Sequence, residues 1–595
     1  MRRRLVDLLR GTDRGPVEPE EPVHERCLSC GVDLEGSSTY GRFRVCHACG
    51  FHFHLSARER IGLLLDPDSF HEADRGVTAL DPLSFDGRGG YRSRVINAQR
   101  RTGLSEAVLT GSGALRGRQV EIAALDFGFL GGSIGVAAGE RIARAFEKAT
   151  TRKIPVVTIT STSGTRMQEG LLALMQAPRI ALALRRHARA GLPHIAIATD
   201  PTTGSAYTGF VSLADFILAE PNALMGYSAL RVLEETEGQQ LPAGAHTAED
   251  HLAHGLIDAI VPRQQLRNTL SVLLDLVASE AHVGPQAHAR TDQLAHTPHD
   301  AWSQVQISRH QNRPAAVELA RLMAGTFFQI RGDRSGQDDP GIAAGPAMIG
   351  SEPVMLIVQS RTSGDRENLI GPAGYRKARR AMLLAERFRL PVVTLIDTMI
   401  ADPALHSEQA GLGPALASCM TTMLDVSVPT IAAIVGEATS EGAMALAVAD
   451  RVLMLDNAVY EVVRPEQAAR VLSRQVDELA ERLRITSHDC LRLGIADATV
   501  QEPGEGAHTH PGETALYLQR AIVREIADLL SMREKRRLEQ RFTRYRETGS
   551  TRAWVRGTIE RRLAHLGDRL AAARDRLRRP RGSRRETLEY PEIPV

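Results

Sequence analysis

The sequence predicts two tandem α/β domains of one fold, preceded by a small cysteine-rich module. Three features predict this: an internal repeat with a spacing of about 236 residues, an alternation of short apolar strands with helical patterns inside each copy, and two cysteine pairs near the start. The chain has 595 residues, which is too long for a single hydrophobic core.

The repeat rests on four matches that occur in the same order at offsets of 235 to 239 residues. Solenoid repeats have periods of only about 20–50 residues, so this spacing indicates two whole domains. The matched segments are IPVVTI with LPVVTL, LPHIAIATD with VPTIAAIVG, ADFIL with ADRVL, and GLIDAIV with GIADATV, starting at residues 154 and 390, 192 and 428, 214 and 449, and 255 and 494.

Within each copy, short runs rich in Val, Ile and Thr alternate with helical patterns, as in VVTIT, then EGLLALMQAPRIALALRRHARAG, then HIAIATD. This rhythm is typical of an α/β unit with largely parallel strand pairing. The predicted organisation is a leader at 1–23, a cysteine module at 24–54, a first copy at 55–265, a linker at 266–300, a second copy at 301–530 and a basic helical tail at 531–595.

Composition and charge exclude several classes of protein. Charged residues make up 24% of the chain and hydrophobic residues 43%, as in globular proteins, and no apolar run is long enough to span a membrane. We therefore expect a soluble cytoplasmic protein. A net charge of +2 argues against a chain-wide nucleic-acid-binding surface. Residues 533–585 carry 19 basic and 6 acidic residues; a solvated helical tail is the first interpretation, and docking to an acidic partner or nucleic acid is the alternative.

Four of the six cysteines form two pairs, Cys27 with Cys30 and Cys46 with Cys49, separated by fifteen residues. Two CxxC knuckles at this spacing predict one tetrahedral zinc site with four thiolate ligands. A closed site of this kind leaves no position for water, so the predicted Zn²⁺ is structural. Two disulfides and a redox dithiol are the alternatives, and a reducing cytosol disfavours the former.

No nucleophile, metalloprotease or phosphate-loop motif occurs. Instead, two glycine-bearing loops directly follow predicted strands, STSGTR at 161–166 and DPTTGS at 200–205. If the loops face each other, backbone N–H groups around Gly164 and Thr165, and around Gly204 and Ser205, would form an oxyanion hole for a thioester enolate. The alternative is that the small residues only allow close packing of helix on strand.

The segments TSTSGTRMQEGLLALMQ, TDPTTGSAYTGF and HLAHGLIDAIV, following the cysteine module, closely resemble the β subunit of bacterial acetyl-CoA carboxylase carboxyltransferase. GPAGYRKARRAMLLAERFRLPVVTLIDT and VPTIAAIVGEATSEGAMALAVADRVLML resemble the α subunit of the same enzyme. The chain is thus similar to a β–α fusion over roughly residues 24–545. The resemblance implies two crotonase-like (ββα superhelix) domains.

The resemblance also implies the reaction. Carboxybiotin on a biotin carboxyl carrier protein, loaded by biotin carboxylase, would donate its carboxyl group to acetyl-CoA or a related short acyl-CoA, giving malonyl-CoA. The β half would hold the acyl-CoA thioester and the α half would polarise the biotin ureido oxygen. Because such sites lie between a β half and an α half, the resemblance implies a homo-oligomer of at least two copies. No membrane partner is expected.

The α half departs from the family pattern at its two loops. Where the family has DTPGAYPG and GEGGSGGA, this chain has DTMIADPA and GEATSEGA. The biotin-side candidates are therefore Ile400, Ala401, Glu441 and Gly442, and a carboxylate at Glu441 would repel a developing oxyanion. One alternative follows from this departure, a diverged decarboxylase of malonyl-type thioesters that keeps the acyl-CoA site. A further alternative is a non-catalytic or nucleic-acid-binding protein that uses the cysteine module and the basic tail.

Overall fold

The computed structural model describes residues 24–79, 81, 83–84, 90–228, 230–242, 244–278, 300–360, 369–398 and 400–548. The predicted leader, most of the predicted linker and the tail beyond residue 548 lie outside the described residues. The chain divides into two compact units, residues 1–534 and 535–595, and both α/β domains lie in the first unit.

The first half of this unit contains the cysteine module and one α/β domain. Its helices are α1 (Ser38–Phe43), α2 (Ala57–Leu64), α3 (Tyr91–Thr102), α4 (Val136–Arg152), α5 (Gly170–Leu174), α6 (Gln176–Arg189), α7 (Leu230–Glu237), α8 (Ala248–Ala253) and α9 (Arg263–Ala278). Its strands are β1 (His71–Ala73), β2 (Val108–Leu115), β3 (Arg118–Leu125), β4 (Val156–Thr162), β5 (His194–Thr203), β6 (Phe216–Ala219), β7 (Met225–Gly226) and β8 (Ala259–Ile260).

The second half repeats this arrangement. Its helices are α10 (Ala301–Ser308), α11 (Ala316–Met323), α12 (Pro372–Phe388), α13 (Leu405–Gln409), α14 (Leu412–Asp425), α15 (Ser440–Ala447), α16 (Pro465–Leu472), α17 (Val476–Leu483), α18 (Ser487–Leu493) and α19 (Pro511–Ser531), and the chain continues in α20 (Glu534–Glu547). Its strands are β9 (Ala324–Phe327), β10 (Ile342–Ile349), β11 (Glu352–Ser360), β12 (Val392–Thr398), β13 (Thr430–Thr439), β14 (Arg451–Leu455), β15 (Val459–Glu461) and β16 (Ala498–Val500).

The two eight-stranded sheets have the same topology. The order is β1-β2-β3-β4-β5-β6-β8 in the first and β9-β10-β11-β12-β13-β14-β16 in the second, with β7 added to β5 and β15 to β13. The outer hairpins, β2 with β3 and β10 with β11, are antiparallel, and the strands from β3 to β8 and from β11 to β16 pair in parallel. The prediction of two tandem α/β domains of one fold is confirmed.

Local sequence explains the central elements of each copy. β4 and β12 are buried along their whole length, which matches their apolar and β-branched composition. The helices that precede them, α4 and α12, each contain 17 residues, start after a glycine and end at a left-handed residue, Lys153 or Arg389. Each helix therefore crosses back over the sheet and delivers the chain to the next parallel strand.

The two halves pack directly on each other. Phe216 of β6 stacks on Phe388 of α12 with ring centroids 6.0 Å apart. Asp258, fully buried as a side chain, accepts from Arg334 at 2.6 Å and from Arg380 at 3.0 Å, both from the second half. These buried contacts fix the relative orientation of the two domains within one chain.

The cysteine module is anchored on the first domain by Arg263, the first residue of α9. Its guanidinium donates to the carbonyls of Phe43 and Phe53, at 2.7 and 3.0 Å, and forms an ion pair with buried Glu220 at 2.8 Å. Helix α9 also continues across residue 265, where the sequence predicted the domain boundary. In the part of the chain that the structure describes, no helix has the length and apolar character needed to cross a membrane.

Candidate active site

The two glycine-bearing loops of the first domain meet at the carboxyl ends of neighbouring strands. β4 ends at Thr162 and β5 at Thr203, and because the two strands are parallel their ends lie at the same edge of the sheet. A Cβ placed on Gly164 would lie 3.1 Å from the Cα of Gly204 and 3.4 Å from the backbone N of Ser205. The residues singled out from sequence in this domain are therefore brought together.

The hydrogen bonds decide which amides of these loops are available. The N–H of Gly164 donates to Thr162 Oγ1 at 2.9 Å, and that of Gly204 donates to the carbonyl of Tyr227 at 3.1 Å. Among the described residues the N–H groups of Thr165 and Ser205 have no acceptor. Both residues are only partly buried, so these two amides can reach a ligand.

The position of each free amide has a local cause. Thr165 lies in a parallel bridge with Ile134, in which the flanking amide of Arg166 bonds Ile134 at 3.0 Å, so the N–H of Thr165 points to the opposite side. Ser205 begins a helical turn whose first internal bond runs from Thr208 to Gly204, and N–H groups at a helix start have no internal acceptor. Two main-chain donors without an acceptor in the described part of the chain therefore lie on the two facing loops of the first domain.

A buried ion cluster holds the first of these loops. The guanidinium of Arg166 is completely buried and forms ion pairs with Glu106 and Glu169, which are also buried. It donates to the carbonyl of Ser133 at 2.7 Å, and Glu169 accepts from the N–H of Val136 at 2.6 Å. The loop after β4 is thereby tied to the start of α4. The sequence motif contains Arg166, but nothing in it revealed Glu106, 60 residues earlier.

The second domain has a corresponding pair of loops. Ala401 lies in a parallel bridge with Ile370, as Thr165 does with Ile134, and Ser440 has φ +63° where Gly204 has φ +64°. By this register Ala401 and Glu441 correspond to Thr165 and Ser205, the residues with free amides. The Gly442 residue adjoins Ala401, because a Cβ on Gly442 would lie 2.9 Å from the Ala401 nitrogen.

Two side chains make this second loop pair different from the first. Ile400 stands where the first domain has Gly164, so this loop carries a β-branched residue in place of a glycine. Glu441 is exposed, and its carboxylate accepts a hydrogen bond from the Ser440 hydroxyl, which lowers the pKa of Glu441. The predicted biotin-side residues thus lie at the same edge of the sheet, with a negative charge beside them at neutral pH.

The four cysteines of the N-terminal module converge. Their sulfur atoms all lie within 4.8 Å of one another, with Cys27 Sγ 3.6 Å from Cys49 Sγ and Cys30 Sγ 3.8 Å from Cys46 Sγ. Four sulfurs at about 2.3 Å from one tetrahedral zinc ion would be separated by about 3.8 Å. The donor set therefore fits a metal ion. Cys419 and Cys490 are buried elsewhere in the second domain.

Comparison with known proteins gives matches over both halves. The family model "Carboxyl transferase domain" matches residues 54–255, and the model "Acetyl co-enzyme A carboxylase carboxyltransferase-like" matches residues 275–549. A protein of Salinispora arenicola named acetyl-coenzyme A carboxylase carboxyl transferase subunits beta/alpha is 37% identical over 560 residues, covering 91% of this chain and 99% of its own length. A protein of the same name from Saccharopolyspora erythraea is 38% identical and covers 88% of this chain and 94% of its own length.

Other relatives are more distant. The probable biotin-dependent acyl-coenzyme A carboxylase beta3 subunit of Mycobacterium bovis is 36% identical over 82% of this chain and 97% of its own length. Among solved structures, the hexameric transcarboxylase 12S with hydrolysed methylmalonyl-coenzyme A has a TM-score of 0.65 at 20% identity, covering 80% of this chain and 90% of that one. A single-chain, multi-domain long-chain acyl-CoA carboxylase has a TM-score of 0.61 at 17% identity, with 81% and 46% covered.

Proposed function

We propose, since the chain belongs to the acetyl-CoA carboxylase carboxyltransferase family with the β and α subunits in one polypeptide, that it transfers a carboxyl group from carboxybiotin to a short acyl-CoA. Acetyl-CoA is the expected acceptor and malonyl-CoA the product. The observation that carries this proposal is the pair of free amides of Thr165 and Ser205 behind the facing glycines of the first domain.

In this mechanism the thioester oxygen of the acyl-CoA accepts from the amides of Thr165 and Ser205. Negative charge on that oxygen in the enolate is then met by two fixed donors that need no reorganisation. The N–CO₂ bond of carboxybiotin breaks, the α-proton of the acyl group passes to the ureido nitrogen, and the enolate carbon forms the new C–C bond with CO₂. The step therefore needs no carboxylate or histidine of the protein as base.

The corresponding amides of the second domain, at Ala401 and Glu441 with Gly442 beside them, are proposed to hold the biotin ureido oxygen. The matching backbone register of the two loop pairs supports this assignment. Ile400 adds a β-branched side chain at the loop position where the first domain has Gly164. The charged Glu441 side chain is expected to weaken the stabilisation of an anionic ureido oxygen.

We propose that Cys27, Cys30, Cys46 and Cys49 hold one structural Zn²⁺. The sulfur positions fit four-coordinate zinc, and a set of four thiolates leaves no open coordination position for chemistry. When bound, the metal would stabilise the small module that Arg263 anchors on the first domain. Cysteine pairs that bind a metal instead of forming disulfides are typical of proteins in a reducing compartment, so a cytoplasmic location is part of this proposal.

The proposed partners are biotin carboxylase, a biotin carboxyl carrier protein and further copies of this chain. Oligomerisation is supported by exposed apolar side chains that directly follow the Arg166 loop. Met167 is 80% exposed and Leu171 74% exposed, and Leu174, Met175 and Leu182 are exposed as well. Several exposed apolar side chains within one short stretch of chain beside a candidate site are typical of an interaction surface.

The proposed function is tested with purified protein, biotin carboxylase, biotinylated carrier, ATP, bicarbonate and a panel of acyl-CoAs. Malonyl-CoA or a homologous product should form with the carrier, and none should form without it. Release of CO₂ from malonyl-CoA without a carrier would instead support the decarboxylase alternative. Absence of turnover, together with salt-sensitive binding to DNA or RNA that falls when residues 533–585 are deleted, would support the non-catalytic alternative.

A further inference from the structure

Two buried polar side chains lie under the candidate biotin-side loops of the second domain. Gln359 is the last residue but one of β11, and Tyr375 lies in the first turns of α12. Both side chains are completely buried. Because buried polar groups are costly unless they are hydrogen-bonded, their presence needs a local reason.

The first domain supplies an internal control for this pair. In the two sheets, Val156 pairs with Glu121 and Val392 pairs with Met355, so Gln359 corresponds to Leu125 by register. Tyr375 is the fourth residue of α12, and the fourth residue of α4 is Gly139. At these two positions the first domain therefore has the apolar side chain of Leu125 and, at Gly139, no side chain at all. The polar pair is a property of the second domain rather than of the fold.

The contacts of the pair lead to the loop that carries Glu441. Gln359 Nε2 donates to the carbonyl of Gly442 at 3.0 Å and to Tyr375 Oη at 3.4 Å. A carbonyl can only accept, so the Gly442 contact fixes which end of the Gln359 amide faces the loop. Tyr375 Oη also lies 2.8 Å from the position that a Cβ on Gly442 would take, and Ala401 N lies 2.9 Å from the same position.

We propose that Gln359 and Tyr375 are positioning residues for the biotin-side site: through the Gly442 carbonyl they hold the start of α15 against the Ala401 amide, and so set the spacing of the two donors that receive the ureido oxygen. This inference rests on the proposed function. Neither side chain is exposed, so neither touches carboxybiotin itself. Burial raises the pKa of Tyr375, so its hydroxyl stays neutral. Its oxygen accepts the hydrogen bond from Gln359.

A positioning role for Gln359 and Tyr375 and a general structural role predict different losses of activity when the pair is replaced. The pair contacts the start of α15, which adjoins Ala401 in the second domain. The acyl-CoA amides at Thr165 and Ser205 belong to loops of the first domain. Loss of the pair should therefore impair use of the carboxybiotin donor and leave acyl-CoA binding unchanged. A merely structural role would lower both together with thermal stability.

The test uses the full-length variants Tyr375→Phe and Gln359→Leu, the latter placing the first domain's residue in the second. Thr158→Val is the matched control, because it removes a buried hydroxyl that contacts His194 in the first domain. We expect kcat/KM for the carboxylated carrier to fall about tenfold, as for a displaced positioning contact, with the Kd for malonyl-CoA unchanged within twofold. The control should leave kcat/KM for the carrier unchanged.

Hydrogen exchange gives a readout that does not depend on turnover. Amides of residues 440–447 should exchange faster in both variants than in the wild-type protein, while those of residues 205–211 should not change. If the wild-type protein transfers the carboxyl group and both variants keep the wild-type kcat/KM for the carrier, this inference is overturned and the proposed function stands. The inference would also be overturned if the variants lost kcat/KM for the carrier, affinity for malonyl-CoA and thermal stability together. If the wild-type protein transfers no carboxyl group, the proposed function fails, and unaltered exchange at residues 440–447 would refute the positioning contact separately.

Discussion

Gly164 and Gly204 face each other so closely that a side chain at either position would crowd the backbone of the other. A Cβ on Gly204 would lie 3.0 Å from the Cα of Gly164, and a Cβ on Gly164 would lie 3.1 Å from the Cα of Gly204. Both residues also have positive φ, +100° for Gly164 and +64° for Gly204. Such a conformation is costly for residues with a Cβ. The two glycines thus permit the close approach of the loops that carry the amides of Thr165 and Ser205.

Replacing Gly204 with Ala should push these two loops apart. We expect kcat/KM for the acyl-CoA to fall by about 10²-fold, the usual effect of losing one oxyanion-hole donor. Steady-state kinetics with acetyl-CoA measure this. Gly62→Ala is the control, because Gly62 has open space around its Cα and lies within α2. A Gly204→Ala variant with the wild-type rate would contradict the assignment of this loop to the acyl-CoA site.

Replacing Cys27 with Ser should release the metal and destabilise the N-terminal module, because metal binding at such sites is coupled to folding. Metal content by mass spectrometry should fall from about one zinc per chain to well below one, and Tm should fall with it. Cys490→Ala, which removes a thiol buried in the second domain, should leave the zinc content unchanged. Full zinc content in Cys27→Ser would refute the assignment.

Replacing Glu441 with Gly should raise the carrier-dependent rate if the carboxylate repels charge on the ureido oxygen. The Ser440 hydroxyl lowers the pKa of Glu441, so the side chain stays charged throughout the neutral range and mild acid does not relieve the repulsion. Glu441→Gln separates charge from size and should give part of the gain. Glu505→Gln, which removes another exposed charge, should have no effect. An unchanged or lower rate in Glu441→Gly would contradict the electrostatic explanation.

Glu461 should make the protein less stable as the pH rises. Burial and the adjacent charge of Glu437 raise the pKa of Glu461 to about 8, well above its value in an unfolded chain. Between about pH 4.5 and pH 8 the folded state therefore binds more protons than the unfolded state, and the free energy of unfolding falls with rising pH. Glu461→Gln should make the dependence of Tm on pH flatter across this range.

The control for this experiment is Glu466, which forms an ion pair with the guanidinium of Arg309, as Glu461 does at 3.9 Å. The pKa of Glu466 is lowered, so this carboxylate contributes stability above its unfolded pKa and loses it as the pH falls. Glu466→Gln should lower Tm at neutral pH and should not remove the decline between pH 5 and 8. A Tm profile of Glu461→Gln identical to that of the wild-type protein would refute the predicted proton on Glu461.

The sequence predicted the repeated fold because the evidence for it is local. The Pro-Val-Val-Thr segments at 155–158 and 391–394 mark buried parallel strands in each copy, and β4 and β12 begin within them. The cysteine knuckles and the glycine-bearing loops are also short motifs that can be found within a few residues of sequence. What could not be predicted is contact between distant residues, such as Arg166 with Glu106 or Gln359 with Gly442.

The sequence by itself determined that two copies of one α/β domain follow a four-cysteine module, and that small residues end the central strands. Only the tertiary structure decided which amides are free. Thr162 and Tyr227 accept hydrogen bonds from the N–H groups of Gly164 and Gly204. The N–H groups of Thr165 and Ser205 remain available. The reason is that a main-chain donor is available only when no acceptor reaches it, and the acceptors come from parts of the chain that folding alone brings together.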